Sequence, residues 1–87
     1  MLEILEPINI WVLFKKPARP AGGNLIQPTY FFWRGRQIKV EKVNLVHTSK
    51  NGDEIFYHFS VSSEGNFYRL RFDSSNMNWF LEAVESD

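Results

Sequence analysis

Apolar and polar residues alternate with a period of two along most of this 87-residue chain, and glycine-bearing turns cut the alternation into short stretches. Such alternation puts every second side chain on one face of an extended strand, so the pattern predicts an antiparallel sheet assembled from hairpins. After Pro7, residues Ile8, Ile10, Val12 and Phe14 fall on one face while Trp11 and Leu13 fall on the other. A strand apolar on both sides needs cover on both, from elsewhere in the chain or from a second chain. Pro17, Pro20, Gly22, Gly23 and Pro28 then punctuate a predicted loop from Lys16 to Gln27, long for so small a domain and therefore functional or mobile.

The segment from Thr29 to Val40 reads as a hairpin about Arg34-Gly35. A two-residue turn there sets Trp33 opposite Arg36, Phe31 opposite Ile38 and Thr29 opposite Val40. Phe31, Trp33, Ile38 and Val40 then share the core face, and Tyr30 and Phe32 lie on the other beside Gln37 and Lys39. These two rings are either covered by the first strand, the reading preferred here, or exposed for binding. The strand from Arg36 runs on to Thr48, but its pattern slips, with Ile38 and Val40 even-numbered and Val43, Leu45 and His47 odd. One extra residue near Glu41-Lys42, a β-bulge, would keep both sets on one side. Asn51-Gly52 is the strongest turn signal, and it leaves two registers open. A three-residue turn pairs Leu45 with Phe59 and Val43 with Val61; a two-residue turn pairs Val46 with Tyr57.

Ile55, Tyr57, Phe59 and Val61 alternate with Phe56, His58 and Ser60, and Glu64-Gly65 turns the chain. Tyr68, Leu70 and Phe72 return on the same side, which leaves Arg69 and Arg71 outward near Ser60 and His58. A last turn at Ser74 to Asn76 leads to Trp79, Leu81 and Ala83 inward, with Phe80 and Val84 outward. The segment from Asn78 to Glu85 is read as a strand in preference to a short helix. These elements predict an all-β domain spanning residues 1–87, an antiparallel meander of five or six strands. Strong curling, or closure into a small SH3-like or OB-like barrel, would protect the edge strands from aggregation.

Composition sharpens this. Eight Phe, three Tyr and three Trp supply the bulk that a core of this size needs, and 44% hydrophobic residues argue against disorder. No apolar run approaches a membrane span, and the start lacks the basic and apolar stretches of a signal peptide. With no Cys there is neither a disulfide framework nor a thiolate metal site, and a cytoplasmic location is expected. Net charge is zero but segregated: Trp11 to Lys50 holds eight basic residues against Glu41, and Asn51 to Asp87 holds seven acids against Arg69 and Arg71. Facing strands of complementary charge would explain this, and so would a basic face for an acidic partner.

Catalytic signals are weak. His47 and His58 are the only histidines. Neither has a nearby Asp or Ser placed as in a triad, and neither open register makes the two converge. No metal-ligand spacing is present, no cofactor motif is found, and Gly22-Gly23 is too short for a phosphate loop. The expectation is a non-catalytic interaction module. Its partner is a protein, or a second copy of the chain, held through an edge strand or the spare aromatic face. The alternative is single-stranded nucleic acid, for which cations neutralise phosphates while rings stack on bases. Lys15, Lys16 and Arg19 add to that basic-aromatic mixture, and the candidate binding residues are Tyr30, Phe32, Arg34, Arg36, Lys39 and Lys42.

Glu6-Pro7-Ile8, Pro28, Phe32-Trp33-Arg34-Gly35-Arg36, Val40 and Val43 resemble a family of small bacterial all-β domains whose members mostly lack an assigned activity. Phe56-Tyr57, Tyr68-Arg69-Leu70, Asp73, Trp79-Phe80-Leu81 and Val84 extend the likeness over about 80 residues. Similar segments form the tail of proteins related to Y-family translesion DNA polymerases, which implies a setting in DNA repair. The matching residues are mostly turn and core positions, so the resemblance speaks to fold more than to chemistry. Two features of that family are missing here: a Trp after the second Val-containing strand, and a long insertion at Asn51-Gly52.

Overall fold

The computed structural model describes residues 2–15 and 26–86, all of them strand, turn or short connection. The described residues form eight strands: β1 (Leu2–Pro7), β2 (Asn9–Phe14), β3 (Ile26–Trp33), β4 (Arg36–Lys39), β5 (Lys42–Asn51), β6 (Glu54–Ser63), β7 (Asn66–Asp73) and β8 (Asn78–Ser86). They form a five-stranded sheet in the order β1-β8-β7-β6-β5 and a three-stranded sheet β2-β3-β4, antiparallel throughout. No helix among the described residues is long and apolar enough to cross a membrane. Residues 16–25 of the expected loop lie outside the described residues; Ile26 and Gln27 belong to β3, paired with Phe14 and Leu13.

The strand count exceeds the five or six expected for two reasons. The first is β1, which pairs with β8 but carries no readable alternation, because its register shifts between Glu3 and Glu6 and Leu5 takes a φ of 53°. The second is a break at Val40-Glu41 in what the sequence presents as one long strand. There the chain leaves the small sheet and enters the large one: the Val40 N–H donates to the Thr29 carbonyl at 2.8 Å, and the Glu41 N–H to that of Ser62 at 2.9 Å. A second crossing lies between β1 and β2, where the Ile8 N–H donates to the Trp79 carbonyl at 3.1 Å. The protein is therefore two sheets hinged at two corners and not a closed barrel, since the strand ladders stop where the backbone bends.

The hairpins follow turn chemistry. Arg34-Gly35 and Glu64-Gly65 both place two successive residues at positive φ, 51° and 74° in the first and 50° and 80° in the second. That is the type I′ geometry whose twist matches the flanking strands, and glycine takes the second position without strain. The first turn gives the expected register, Phe31 opposite Ile38 and Trp33 opposite Arg36. The second sets Val61 opposite Tyr68 and Phe59 opposite Leu70.

The turn after β5 differs from both open registers. Asn51 pairs with Glu54, so the two turn residues are Gly52 and Asp53. Glycine at the first turn position is the arrangement a two-residue turn of the II′ kind requires, and Gly52 has φ 63°. Val46 then faces Phe59, Thr48 faces Tyr57, and His47 faces His58. The register shifts between Val43 and Leu45, which restores Val43 opposite Val61 and places the bulge at Asn44, not at Glu41-Lys42. Leu45 is consequently expelled, 58% exposed, and Val46 takes the place against the core.

Between the sheets lies one apolar cluster: Phe31 and Ile38 from the small sheet against Phe59, Val61, Tyr68, Leu70, Phe72, Trp79 and Leu81 from the large one. Phe31 meets Tyr68 edge-on at 5.4 Å, and Trp79 lies between Phe72 and Phe59 at 4.8 and 5.4 Å. Ile8, Ile10 and Val12 pack on this cluster as expected, but Phe14 at the end of β2 is exposed. β8 also departs from expectation. Its register shifts at Glu82, the extra residue between Leu81 opposite Leu70 and Ala83 opposite Arg69. Val84 therefore packs on the core opposite Tyr68, while Ala83 is buried outside the cluster.

Candidate functional site

The outer face of the small sheet is aromatic. Trp11 of β2 lies opposite Tyr30 of β3, and the two rings stack at 4.9 Å with 15° between planes. Phe32 meets both edge-on, 5.4 Å from Trp11 and 6.1 Å from Tyr30. A bulge at Thr29 fixes this arrangement, and its hydroxyl donates to the Trp11 carbonyl at 2.7 Å. The first strand thus covers Tyr30 in part through Trp11, yet Trp11 remains half exposed and Phe32 exposed. Beside them a groove of about 650 Å³ opens at the β1–β2 corner, lined by Asn9, Trp11 and Phe32 together with Met77, Asn78 and Phe80.

Of the six candidate residues, Tyr30, Phe32 and Lys39 share this surface, Lys39 lying directly opposite Tyr30. The two arginines do not join them. Arg36 pairs with Trp33 and so shares the parity of the core-facing Ile38. Arg34 sits in the turn, its guanidinium 4.6 Å from the centre of the Trp33 ring and 3.8 Å from Glu6, whose other carboxylate oxygen accepts from the Trp33 indole at 3.1 Å. Lys42 belongs to the other sheet, opposite Ser62. Their nearness in sequence does not survive the corner at Val40-Glu41.

The outer face of the large sheet carries a polar array absent from the sequence reading. His47 and His58 do converge: they are cross-strand neighbours whose rings stack at 4.7 Å with 12° between planes. His58, buried on an outer face, also has a Ser and a carboxylate on its two ring nitrogens. Ser49 Oγ lies 2.7 Å from Nε2, and Glu82 Oε1 lies 2.6 Å from Nδ1. The Glu82 carboxylate is also 3.5 Å from Arg69 Nε, and Arg69 is 3.5 Å from Glu3. Arg71, opposite His58, has its guanidinium between the rings of Phe56 and Phe80, 4.9 and 4.8 Å from their centres.

Each contact depends on an irregularity that sequence spacing hides. Ser49 and His58 meet because the turn falls at Gly52-Asp53, and Glu82 reaches across β7 because it is the bulged residue of β8. Among the described residues, no group of three His, Cys, Asp or Glu is placed to hold a metal ion. Compared with known protein families, curated proteins and solved structures, the chain shows no match.

Proposed function

We propose that this protein is an interaction module that captures a protein segment, or a second copy of itself, on the aromatic face of the small sheet. One observation carries the reading: Trp11 stays half exposed at the rim of a groove although it is already stacked on Tyr30 and flanked by Phe32. Rings fixed by their neighbours lose little conformational freedom on binding, and Trp and Tyr dominate the energetics of protein interfaces. The groove suits an extended segment with an apolar side chain between Trp11 and Phe80 and polar backbone near Asn9 and Asn78.

The test uses peptides selected from a random library on the intact protein, together with sedimentation of the protein alone. Trp11→Ala and Phe32→Ser should each weaken the selected peptides, or dissolve a self-associated species, by at least about tenfold, the scale of an interface hot spot. A monomer whose selected peptides bind both variants as well as the parent removes the reading.

Single-stranded nucleic acid is the second reading, supported by Lys39 beside the Trp11–Tyr30 stack and by the resemblance to polymerase-associated tails. It predicts oligonucleotide affinity that falls steeply with salt and drops on Lys39→Ala. Affinity indifferent to salt, or no binding at low salt, excludes it.

A further inference from the structure

The array on the large sheet invites a separate conclusion, which does not rest on the binding role of the small one. We propose that Ser49 is an activated nucleophile, with His58 as its general base and Glu82 as the residue that positions the base, acting on small carboxylic esters. With the imidazole neutral, the hydrogen bonds run in the required sense. A Glu82 carboxylate at 2.6 Å needs a proton on Nδ1, so Nε2 of the neutral ring is left as an acceptor for the Ser49 hydroxyl at 2.7 Å. The ring is held on all sides: Glu82 is tied to Arg69, His47 stacks on one face, and Arg71 lies opposite on β7. His58 is buried and Glu82 partly buried, whereas Ser49 is exposed. A sheltered base beside an accessible hydroxyl is the arrangement that makes a serine nucleophilic.

The surroundings define the substrate class. Ser49 lies opposite Phe56, whose ring offers an apolar rest for a short acyl chain. Among the described residues β5 is an edge strand, and the outward N–H groups of an edge are of the kind that stabilise an oxyanion. The face is open, so it suits small, reactive esters and not amides. Ser49 Oγ bonds to the acyl carbon while its proton passes to His58 Nε2. The bond from that carbon to the leaving oxygen then breaks, and His58 returns the proton to the departing alcohol. Water repeats the sequence on the acyl-serine, which releases the acid and restores Ser49.

The experiment treats the intact protein with a fluorophosphonate probe and, separately, with p-nitrophenyl acetate. We expect one label per chain, at Ser49 by peptide mass, and a nitrophenolate burst of the same stoichiometry. Ser49→Ala, at an exposed position, should abolish both, and His58→Asn should slow labelling by about 100-fold or more, the scale of general-base assistance. Ser49→Cys should restore an acyl-enzyme as a thioester. Glu82→Gln should slow labelling by at least about tenfold by permitting the wrong tautomer, with partial recovery in Glu82→Asp. If His58→Asn fails to fold, the Ser49 variants decide. Labelling elsewhere, no labelling, or ester hydrolysis by Ser49→Ala at the parent rate would each overturn the proposal.

Discussion

Replacing Phe31 by alanine tests how the two sheets are held together. Phe31 has no exposed surface, and among the described residues it and Ile38 are the two buried members of the central cluster that come from the small sheet. Truncating a buried Phe costs about 3–5 kcal/mol, from lost transfer energy and the cavity left behind. Up to about 1.5 kcal/mol of that reflects the edge-on contact with Tyr68. A chain of this length is expected to be stable by about 4–13 kcal/mol, at roughly 0.05–0.15 kcal/mol per residue. The substitution thus removes about a quarter of the total or more. With a urea slope near 1.5 kcal/mol/M, the unfolding midpoint should fall by about 2–3 M. The assay is urea unfolding followed by Trp fluorescence and far-ultraviolet circular dichroism together. Leu13→Ala, at a half-exposed position of the same sheet, is the control and should cost less than about 1 kcal/mol. A loss below about 1.5 kcal/mol for Phe31→Ala, or a small sheet that melts in a separate transition, would refute the account of one shared core.

Register can be tested at adjacent positions: Leu45→Lys should change stability by less than about 0.5 kcal/mol, whereas Val46→Asp should cost about 3 kcal/mol or more by burying a charge. The reverse order in a melting assay would restore the Leu45–Phe59 pairing. Glu64→Asn should raise the melting temperature by about 3–6 °C, because Asn tolerates the left-handed conformation at φ 50° and the bond to the Glu41 carboxylate uses only the backbone N–H. Asp73→Ala should cost about 1–3 kcal/mol, since this buried carboxylate accepts from both the backbone N–H and the hydroxyl of Ser75, at 3.0 and 2.7 Å. Acrylamide quenching of the parent should be dominated by Trp11, with Trp79 shielded, so Trp11→Phe should remove most of the quenchable signal.

The parts of the fold that sequence made legible are those where local chemistry and global packing agree. Phe31–Ile38 and Phe59–Leu70 pair as the alternation and the glycine turns require, and Arg69 and Arg71 face Ser60 and His58 as expected. Each departure coincides with a backbone irregularity. Leu5 hides β1, the bulge at Asn44 exchanges Leu45 for Val46, and Glu82 sends Val84 inward. A bulge reverses the parity of all that follows, and alternation alone cannot locate it where residues on both sides are apolar. The same limit governed the candidate sites. Tyr30, Phe32 and Lys39 come together because they sit on one regular hairpin, but Arg36 and Lys42 are carried off by parity and by the corner. Ser49, His58 and Glu82 meet across three strands through one turn offset and one bulge, a juxtaposition that separation in sequence conceals.

The ladder between β1 and β8 has a kinetic consequence. Leu2 pairs with Val84, so the large sheet is complete only when segments from nearly opposite ends of the described chain have met. Pairings this remote must meet the entropy of closing a long loop before any contact compensates, which slows the search for the native topology. The hairpins β3–β4 and β6–β7 can zip within microseconds, whereas the completed protein should fold on the millisecond-to-second scale of non-local β topologies. Stopped-flow refolding of the Glu3→Pro variant, which blocks backbone donation in β1, would show whether that closure lies before or after the rate-limiting barrier.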